Sequence, residues 1–317
     1  MSFVTEKSSN DKSLGLKLLE SVLLVIVLGL VGLRATYVES PHIDQIQTQI
    51  FSNPRIISLL VSTALLTCFA IWLFVSLCMN QLRWRKTWLS SAIGLFILAG
   101  VISFFAASNK RVALMDLVLL VSPMISAIFL IQLLNSAQKI RLALLLILAV
   151  GVVATAQCID QFYTSNDEMI QDYEQNQSIY LEKFGYEPDS LEQWMYEHRL
   201  YSKDIRGFLM TSNSTASFFL LAIFAGLGLS IEAFRQRKHA ETLAAFVCYF
   251  LAFLFITGGL IITQSKGGNG AFMIGLFLLV ILGFFGKSLW KHRIILGILL
   301  LIVDRKSTRL NSSHVSQ

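Results

Sequence analysis

The sequence has 317 residues, of which 55% are hydrophobic and 15% are charged, with a net charge of +6 and a mean hydropathy of +0.63. This composition excludes an ordinary soluble domain. The apolar residues occur in blocks of about 20, which is the length that an α-helix needs to cross the hydrocarbon core of a bilayer. The pattern therefore predicts an all-α polytopic membrane protein.

The apolar runs predict about nine membrane-spanning helices, of which the last is short. Their ranges are 16–33, 56–80, 88–108, 112–134, 140–160, 208–233, 243–263, 271–286 and 294–303. With the N-terminus placed in the cytoplasm, every inner connection is rich in lysine and arginine, as the positive-inside rule requires. One long outer loop, residues 161–207, then separates the fifth helix from the sixth.

Two interpretations of the long outer loop stay open. Residues 160–207 contain 11 acidic side chains and four basic ones. The stretch EPDSLEQWMYEHRLYSKDI has a helix-start signal at Pro188 and Asp189, and its apolar residues have partial helical spacing. The loop is therefore either a short amphipathic helix over the outer mouth of the bundle or a solvated acidic segment.

The end of the sequence differs in composition from the rest. Residues 294–303 are wholly apolar, whereas DRKSTRLNSSHVSQ, residues 304–317, is polar and resembles a translated sequencing-adaptor tail. A spanning helix needs about 20 apolar residues, and this run has about ten. We expect residues 1–303 to form the membrane domain, residues 304–317 to be an artefact, and the chain to be truncated within its ninth helix. A genuine polar tail is the alternative.

The cysteines and histidines give no sign of a metal or redox centre. Cys68, Cys78, Cys158 and Cys248 lie in or at the end of apolar runs, at spacings that match no metal-binding motif. The five histidines are scattered. We expect no metal, no soluble cofactor and no nucleic-acid partner.

Four basic residues at the outer ends of predicted helices run against the positive-inside rule. Lys110 and Arg111 occupy the turn AASNKRVAL, Arg206 opens the sixth helix, and Lys266 lies in ITQSKGGNG between the seventh and the eighth. A cation within the membrane costs stability, roughly 2.5–3.5 kcal/mol at the bilayer centre, unless it meets an anion. A lipid phosphate or pyrophosphate is such an anion. Snorkelling to ordinary headgroups is the alternative.

Lys266 has neighbours that suit an anion. Gly267 and the glycines after it allow unusual backbone angles, so that backbone N–H groups approach a ligand at the positive end of the eighth helix. Ser265 and Thr263 add hydroxyl donors. Glycine-rich turns between membrane helices are common, so this pattern is weak on its own.

Polar residues continue from Arg206 into the sixth helix, which indicates a helix that lines a wet cavity. Asn213 follows seven residues later, so that in a continuous helix it shares a face with Arg206. Asp116 is expected to pair with Lys110 or Arg111, with a proton-carrying role as the alternative. His198 is either a candidate base or simply solvated.

An outer loop that ends in Arg-Gly-x-x-x-x-x-Asn, and a later span followed by Thr-x-Ser-basic-Gly, resemble the O-antigen ligase and polymerase family. The resemblance covers about residues 150–290. It implies a multi-helix glycosyltransferase that takes glycan from an undecaprenyl-pyrophosphate carrier on the outer face of the bacterial inner membrane. Arg206 and Asn213 match the family's first basic residue and its asparagine. Lys266 stands where the family usually has arginine, which keeps the charge but loses the bidentate fork.

The resemblance implies that Arg206 and Lys266 are catalytic, because they would hold and neutralise the pyrophosphate leaving group. The predicted substrate-binding residues are Asn213, Ser265, Gly267, Lys110 and Arg111. The implied partners are the lipid-linked glycan donor, a lipid or glycan acceptor, and membrane lipids. The family places a loop with a functional histidine after the helices seen here, so the 317-residue chain is expected to be inactive by itself. A transporter or flippase of an anionic lipid-linked substrate is the alternative, although no internal repeat supports it.

Overall fold

The computed structural model describes residues 2–37, 54–82, 84–85, 87–209, 211–236 and 240–289. In these ranges the chain forms ten α-helices and one π-helical turn, without a β-strand. The elements, in chain order, are α1 (Ser2–Thr36), α2 (Pro54–Cys78), α3 (Trp88–Ala106), α4 (Lys110–Leu133), α5 (Ala137–Asp160), the π turn (Gln161–Ser165), α6 (Asn166–Phe184), α7 (Leu191–Tyr201), α8 (Ser212–Arg235), α9 (Ala240–Ile262) and α10 (Lys266–Leu289).

Seven of the described helical segments are long and apolar enough to cross a membrane. Six lie in α1 to α4, α8 and α9, and the seventh, Ala137–Glu182, contains α5 and continues through the π turn into α6. The prediction of a multi-pass helical membrane protein is therefore confirmed. In α10 the apolar segment Lys266–Ile281 is shorter than these spans. The predicted ninth span, 294–303, and the tail, 304–317, lie outside the described residues, so the count of nine stays a prediction.

Five helices start where a polar side chain caps them. Thr87, Asn109, Ser136, Ser190 and Thr211 precede α3, α4, α5, α7 and α8, and each accepts a hydrogen bond from the backbone N–H three residues later. Such a cap satisfies an N–H that has no partner within the helix and stabilises the helix by about 1 kcal/mol. These caps explain why the helices begin near the ends of the apolar runs.

The chain divides into two compact units, residues 1–265 and residues 266–317. In the first unit, α5, α8 and α9 pack closely because small residues stand at their contacts. A Cβ added at Gly151 would lie 2.7 Å from the Cβ of Ala222, and one added at Gly259 would lie 2.7 Å from the Oγ1 of Thr155. In the second unit, the structure describes α10.

A second core in the first unit joins α1, α2 and α4. Val27, Trp72 and Phe129 are buried in it, and the rings of Trp72 and Phe129 have centroids 5.5 Å apart. The hydroxyl of Ser122 on α4 donates to the backbone oxygen of Ser62 on α2, at 3.1 Å. Apolar packing and an interhelical hydrogen bond therefore fix α4 against α2.

Helix α5 continues through the π turn into α6. The 24 residues of α5 extend about 36 Å, enough to cross a hydrocarbon core of about 30 Å. The π turn begins directly after α5, next to the predicted boundary at residue 160. Helix α6 then carries the chain onward, with a kink at Asn176.

The long outer loop is helical, which decides between its two interpretations. Helix α7 was predicted from the spacing of its apolar residues, whereas α6 was not predicted. An aromatic cluster between α6 and α7, made of Tyr173, Tyr180, Phe184, Tyr196 and Leu200, joins the two helices. The reading of this segment as a wholly solvated loop is therefore wrong.

A partly buried network of polar side chains supports the cluster. The carboxylate of Glu197 accepts hydrogen bonds from the Nε2 of Gln193 at 2.8 Å, the hydroxyl of Tyr173 at 2.7 Å and the Nε2 of Gln177 at 3.1 Å. These donors, with Gln193 first, hold the pKa of Glu197 below its usual range. The charged form of Glu197 therefore helps to hold α6 against α7.

Candidate functional site

The segment that carries Arg206 is held by one side chain at the start of the π turn. The Oε1 of Gln161 accepts hydrogen bonds from the backbone N–H of Arg206 at 3.0 Å and of Gly207 at 2.8 Å. Its Nε2 donates to the backbone oxygen of Gly207 at 3.0 Å. Gln161 is only 2% exposed. Its amide therefore binds both backbone N–H groups and a backbone carbonyl oxygen within the protein interior.

Gly207 fits closely against α5 and α8. Its φ is +57°, in the left-handed region that disfavours side chains, and a Cβ there would lie 3.1 Å from the Sγ of Cys158. On the α8 side, the hydroxyl of Thr215 donates to the backbone oxygen of Arg206. The backbone at Arg206 and Gly207 is therefore fixed from two helices at once.

The predicted helical relation between Arg206 and Asn213 is wrong. Helix α8 begins at Ser212, four residues after the predicted start at residue 208, because Gly207 turns the chain and Thr211 caps the helix. Arg206 therefore lies in the turn before the helix, whereas Asn213 lies in its first turn. Seven residues of sequence do not correspond here to two turns of one helix.

The side chain of Arg206 is half-buried and makes no hydrogen bond or ion pair with any residue that the structure describes. Its charge acts on Tyr196 of α7. Burial raises the pKa of Tyr196, with Tyr173, Tyr186 and Asp172 adding to the shift, and Arg206 acts in the opposite direction. The hydroxyl of Tyr196 is buried and lacks a hydrogen-bond partner among the described residues. The charge of Arg206 thus acts on an unsatisfied hydroxyl.

The structure brings Asn213 and Ser265 together. The hydroxyl of Ser265 donates to the Oδ1 of Asn213 at 2.8 Å, across 52 positions of sequence. Ser265 is buried, and its backbone N–H donates to the Oγ1 of Thr263 at 3.4 Å. Because the Oδ1 of Asn213 faces Ser265, its Nδ2 is oriented away as a donor.

The glycines near Lys266 do not form the predicted break. Helix α10 begins at Lys266, so Gly267 and Gly270 have helical backbone angles, and the left-handed residue is Gln264 with a φ of +55°. Lys266 and Gly267 are both exposed in the first turn of α10. The positive end of a helix is therefore present as predicted, but the special glycine conformation is not.

Lys110 has a structural partner that the sequence did not reveal. Its ammonium donates to the backbone oxygens of Phe105 and Phe104 at the end of α3, and it lies 5.9 Å from the ring centroid of Phe104. In the described part of the chain, neither Lys110 nor Arg111 forms an ion pair with Asp116. The predicted pairing is wrong, because the carbonyls that end α3 attract the lysine instead.

His198 is exposed and stacks on Trp194, with ring centroids 5.4 Å apart. Sequence reasoning missed Gln161 and Thr215, which position the backbone of Arg206. One signal was available for Gln161: it stands seven residues after Ala154 and three after Cys158, on the face of α5 that contacts Gly207.

Comparison with known proteins does not assign the chain to a family. No protein-family model matches the chain, and no significant match was found among curated proteins or solved structures. The likeness to O-antigen ligases and polymerases therefore depends on the quoted motif residues and stays a prediction.

Proposed function

We propose that the chain binds the pyrophosphate of a lipid-linked glycan at the turn between α7 and α8, as the donor site of a membrane glycosyltransferase. The observation that carries this proposal is the fixed position of Arg206. Its backbone is bound by Gln161 and Thr215, whereas its guanidinium has no partner among the described residues. An arginine with a fixed backbone and an unpaired guanidinium is suited to bidentate binding of phosphate oxygens.

The proposed chemistry is electrostatic. A hydroxyl of the acceptor attacks the anomeric carbon of the donor sugar, the carbon–oxygen bond to the pyrophosphate breaks, and the hydroxyl proton passes to a general base. The pyrophosphate leaves with its charge neutralised by Arg206, whereas a role for Lys266 stays a prediction from the sequence. Donors that are already oriented stabilise such developing charge without reorganisation.

Asn213 supplies a neutral donor to the same proposed ligand. Its hydrogen bond from Ser265 fixes the amide so that the Nδ2 is directed away from Ser265. Asn213 is exposed in the first turn of α8, where the positive end of the helix dipole also favours an anion. In this proposal Ser265 is a positioning residue for Asn213.

The first test measures binding of farnesyl pyrophosphate to the full chain purified in detergent, with farnesol as the ligand that lacks the charge. Arg206→Ala should weaken farnesyl pyrophosphate binding by about 10–100-fold, which corresponds to a charge-assisted hydrogen bond of about 1.5–3 kcal/mol. The farnesyl pyrophosphate affinity of Arg206→Lys should lie between those of the wild type and Arg206→Ala, because lysine keeps the charge but cannot make the bidentate contact of a guanidinium. Farnesol binding should not change.

Lys203→Ala is the matched control. Lys203 lies three residues before Arg206, but its ammonium is already paired with the carboxylate of Asp167 at 2.7 Å. We expect farnesyl pyrophosphate affinity to stay within about twofold in this variant. An equal loss in the Lys203 and Arg206 variants would mean that general surface charge is responsible, and the site would be rejected.

A second test separates transfer from binding alone. Proteoliposomes that contain the chain receive a labelled glycan on an undecaprenyl-pyrophosphate carrier and an acceptor glycan. The proposal expects labelled acceptor to form once the histidine-bearing loop that the resemblance implies is supplied, and expects Arg206→Ala to abolish its formation. Movement of the intact donor across the vesicle membrane, without labelled acceptor, would instead identify a transporter.

A further inference from the structure

A cavity of about 840 Å³ lies where α2 and α4 end and α5 begins. It is therefore placed at the end of α5 opposite to Gln161. Its volume is within the range of small-molecule sites, about 300–1,000 Å³. The residues that define its chemistry are Lys17, Glu20, Trp72, Ser76, Arg85 and Asn135.

Two buried polar atoms on α2 line this cavity without a partner. The Nε1 of Trp72 and the Oγ of Ser76 have no hydrogen-bond partner among the residues that the structure describes. The two residues are 3% and 1% exposed and stand one helical turn apart on the same face. The indole N–H is a donor only, so it requires an acceptor. Two unsatisfied donors on residues that line one cavity favour a ligand with acceptor oxygens.

The charges around the cavity favour an anion. Lys17 and Arg85 are cations, whereas Glu20, a carboxylate of the lining, accepts a hydrogen bond from the Nδ2 of Asn135 at 3.3 Å. The named charged side chains of the lining therefore sum to +1, from two cations and one carboxylate. A phosphate group supplies both the negative charge and the acceptor oxygens that the Nε1 of Trp72 and the Oγ of Ser76 lack.

Arg85 is held in place by a buried amide on α4. The Oε1 of Gln132 accepts from the backbone N–H of Arg85 at 2.8 Å, and the Nε2 of Gln132 donates to the backbone oxygen of Arg85 at 3.2 Å. Gln132 is 5% exposed. The segment after α2 is therefore fixed to the end of α4, and the cavity is a built feature of the first unit.

We propose that this cavity binds the phosphate-bearing headgroup of an anionic lipid. The choice of a lipid over free phosphate depends on the surroundings. The cavity lies at the ends of membrane-spanning helices, and its lining includes the apolar Leu16 and Leu82 and the part-exposed Trp84. Tryptophan and basic residues together are typical of the membrane interface, where basic pockets between helices bind anionic headgroups.

The test titrates the full chain, purified in a neutral detergent, with short-chain phosphatidylglycerol and measures the shift in tryptophan fluorescence. Phosphatidylcholine and inorganic phosphate are titrated in parallel. Trp72→Phe keeps a smaller aromatic ring and removes the N–H donor, so it should weaken phosphatidylglycerol binding by about 3–10-fold. Lys17→Gln should weaken it by a similar factor. Because Trp72 is part of a buried core, Ser76→Ala provides a second variant with less effect on packing.

Lys139→Gln is the matched control for charge. Lys139 lies in the first turn of α5, near the same end of that helix, but it does not line the cavity. The proposal expects wild-type affinity in this variant and weaker binding of phosphatidylcholine by the wild type. An equal loss in the Lys139 and Lys17 variants, or wild-type affinity in both the Trp72 and Ser76 variants, would overturn the site. Inorganic phosphate that binds as tightly as phosphatidylglycerol would overturn the assignment to a lipid.

Discussion

The side chain of Gln161 should contribute more to the free energy of unfolding than any other single polar side chain near the candidate site. Its amide makes three hydrogen bonds to Arg206 and Gly207. Gln161→Leu keeps most of the volume and removes all three. A buried backbone group that loses its partner costs about 1–3 kcal/mol. Gly207 is buried, but Arg206 is half-exposed and water can satisfy part of its loss. We expect the free energy of unfolding to fall by about 2–5 kcal/mol.

The measurement is unfolding of the purified protein in mixed micelles with increasing sodium dodecyl sulphate, followed by far-ultraviolet circular dichroism. Gln157→Leu is the control, since Gln157 lies one turn earlier in α5 and its amide makes no hydrogen bond with the described residues. The unfolding free energy of Gln161→Glu should lie between those of Gln161→Leu and Gln157→Leu, because glutamate keeps the acceptor oxygens and loses the donor to Gly207. Equal unfolding free energies for the two leucine variants would refute the anchoring role of Gln161.

Three further predictions concern backbone shape and pH. Gly207→Ala should destabilise the protein more than Gly185→Ala in the same unfolding assay. Both glycines have a positive φ, but of the two only Gly207 has another atom within 4 Å of an added Cβ. Equal losses of stability in the two variants would contradict this. Gly259→Ala should destabilise the packing of α5 on α9, whereas Gly258→Ala, with open space at the added Cβ, should be neutral or stabilising by about 1 kcal/mol from helix propensity; a harmless alanine at Gly259 would count against the close contact. The lowered pKa of Glu197 means that its stabilisation is complete above its ordinary pKa, near 4.5, and is lost as the pH falls through the lower folded-state value. Near-ultraviolet circular dichroism of the aromatic cluster between α6 and α7 should therefore decrease on acidification below about pH 4.5 in the wild type and much less in Glu197→Gln, and identical profiles would refute the assignment.

The membrane-spanning helices were predictable because length and apolar composition determine them. Predicted boundaries were close to the observed ones where a local cap ends the apolar run, as at Thr87 and Ser136. The predicted start of α8 was too early because apolar residues also precede the true first residue of the helix, in the turn at Gly207. The left-handed conformation of Gly207 depends on its contacts with α5, which no local pattern contains.

The outer loop and the site were only partly predictable. Helix α7 shows its apolar spacing in the sequence, whereas in α6 the apolar positions, among them Met169, Tyr173 and Phe184, are separated by acidic residues. The contact between Asn213 and Ser265 joins two residues that the motif had selected. Gln161 was missed because its role depends on a pairing across 45 positions of sequence, and a glutamine at the end of a span is unremarkable without that partner.

The π turn determines the direction in which α6 faces relative to α5. A π turn holds one residue more than an α-helical turn at the same place, and one residue corresponds to a rotation of about 100° about the helix axis. Removing a residue from 162–165 would leave α5 and Gln161 in register, but it would rotate α6 and its face with Tyr173 away from the present direction. The angular phase of the outer helices relative to the membrane-spanning bundle is thus set by one residue of chain length, independently of the contacts that stabilise either part.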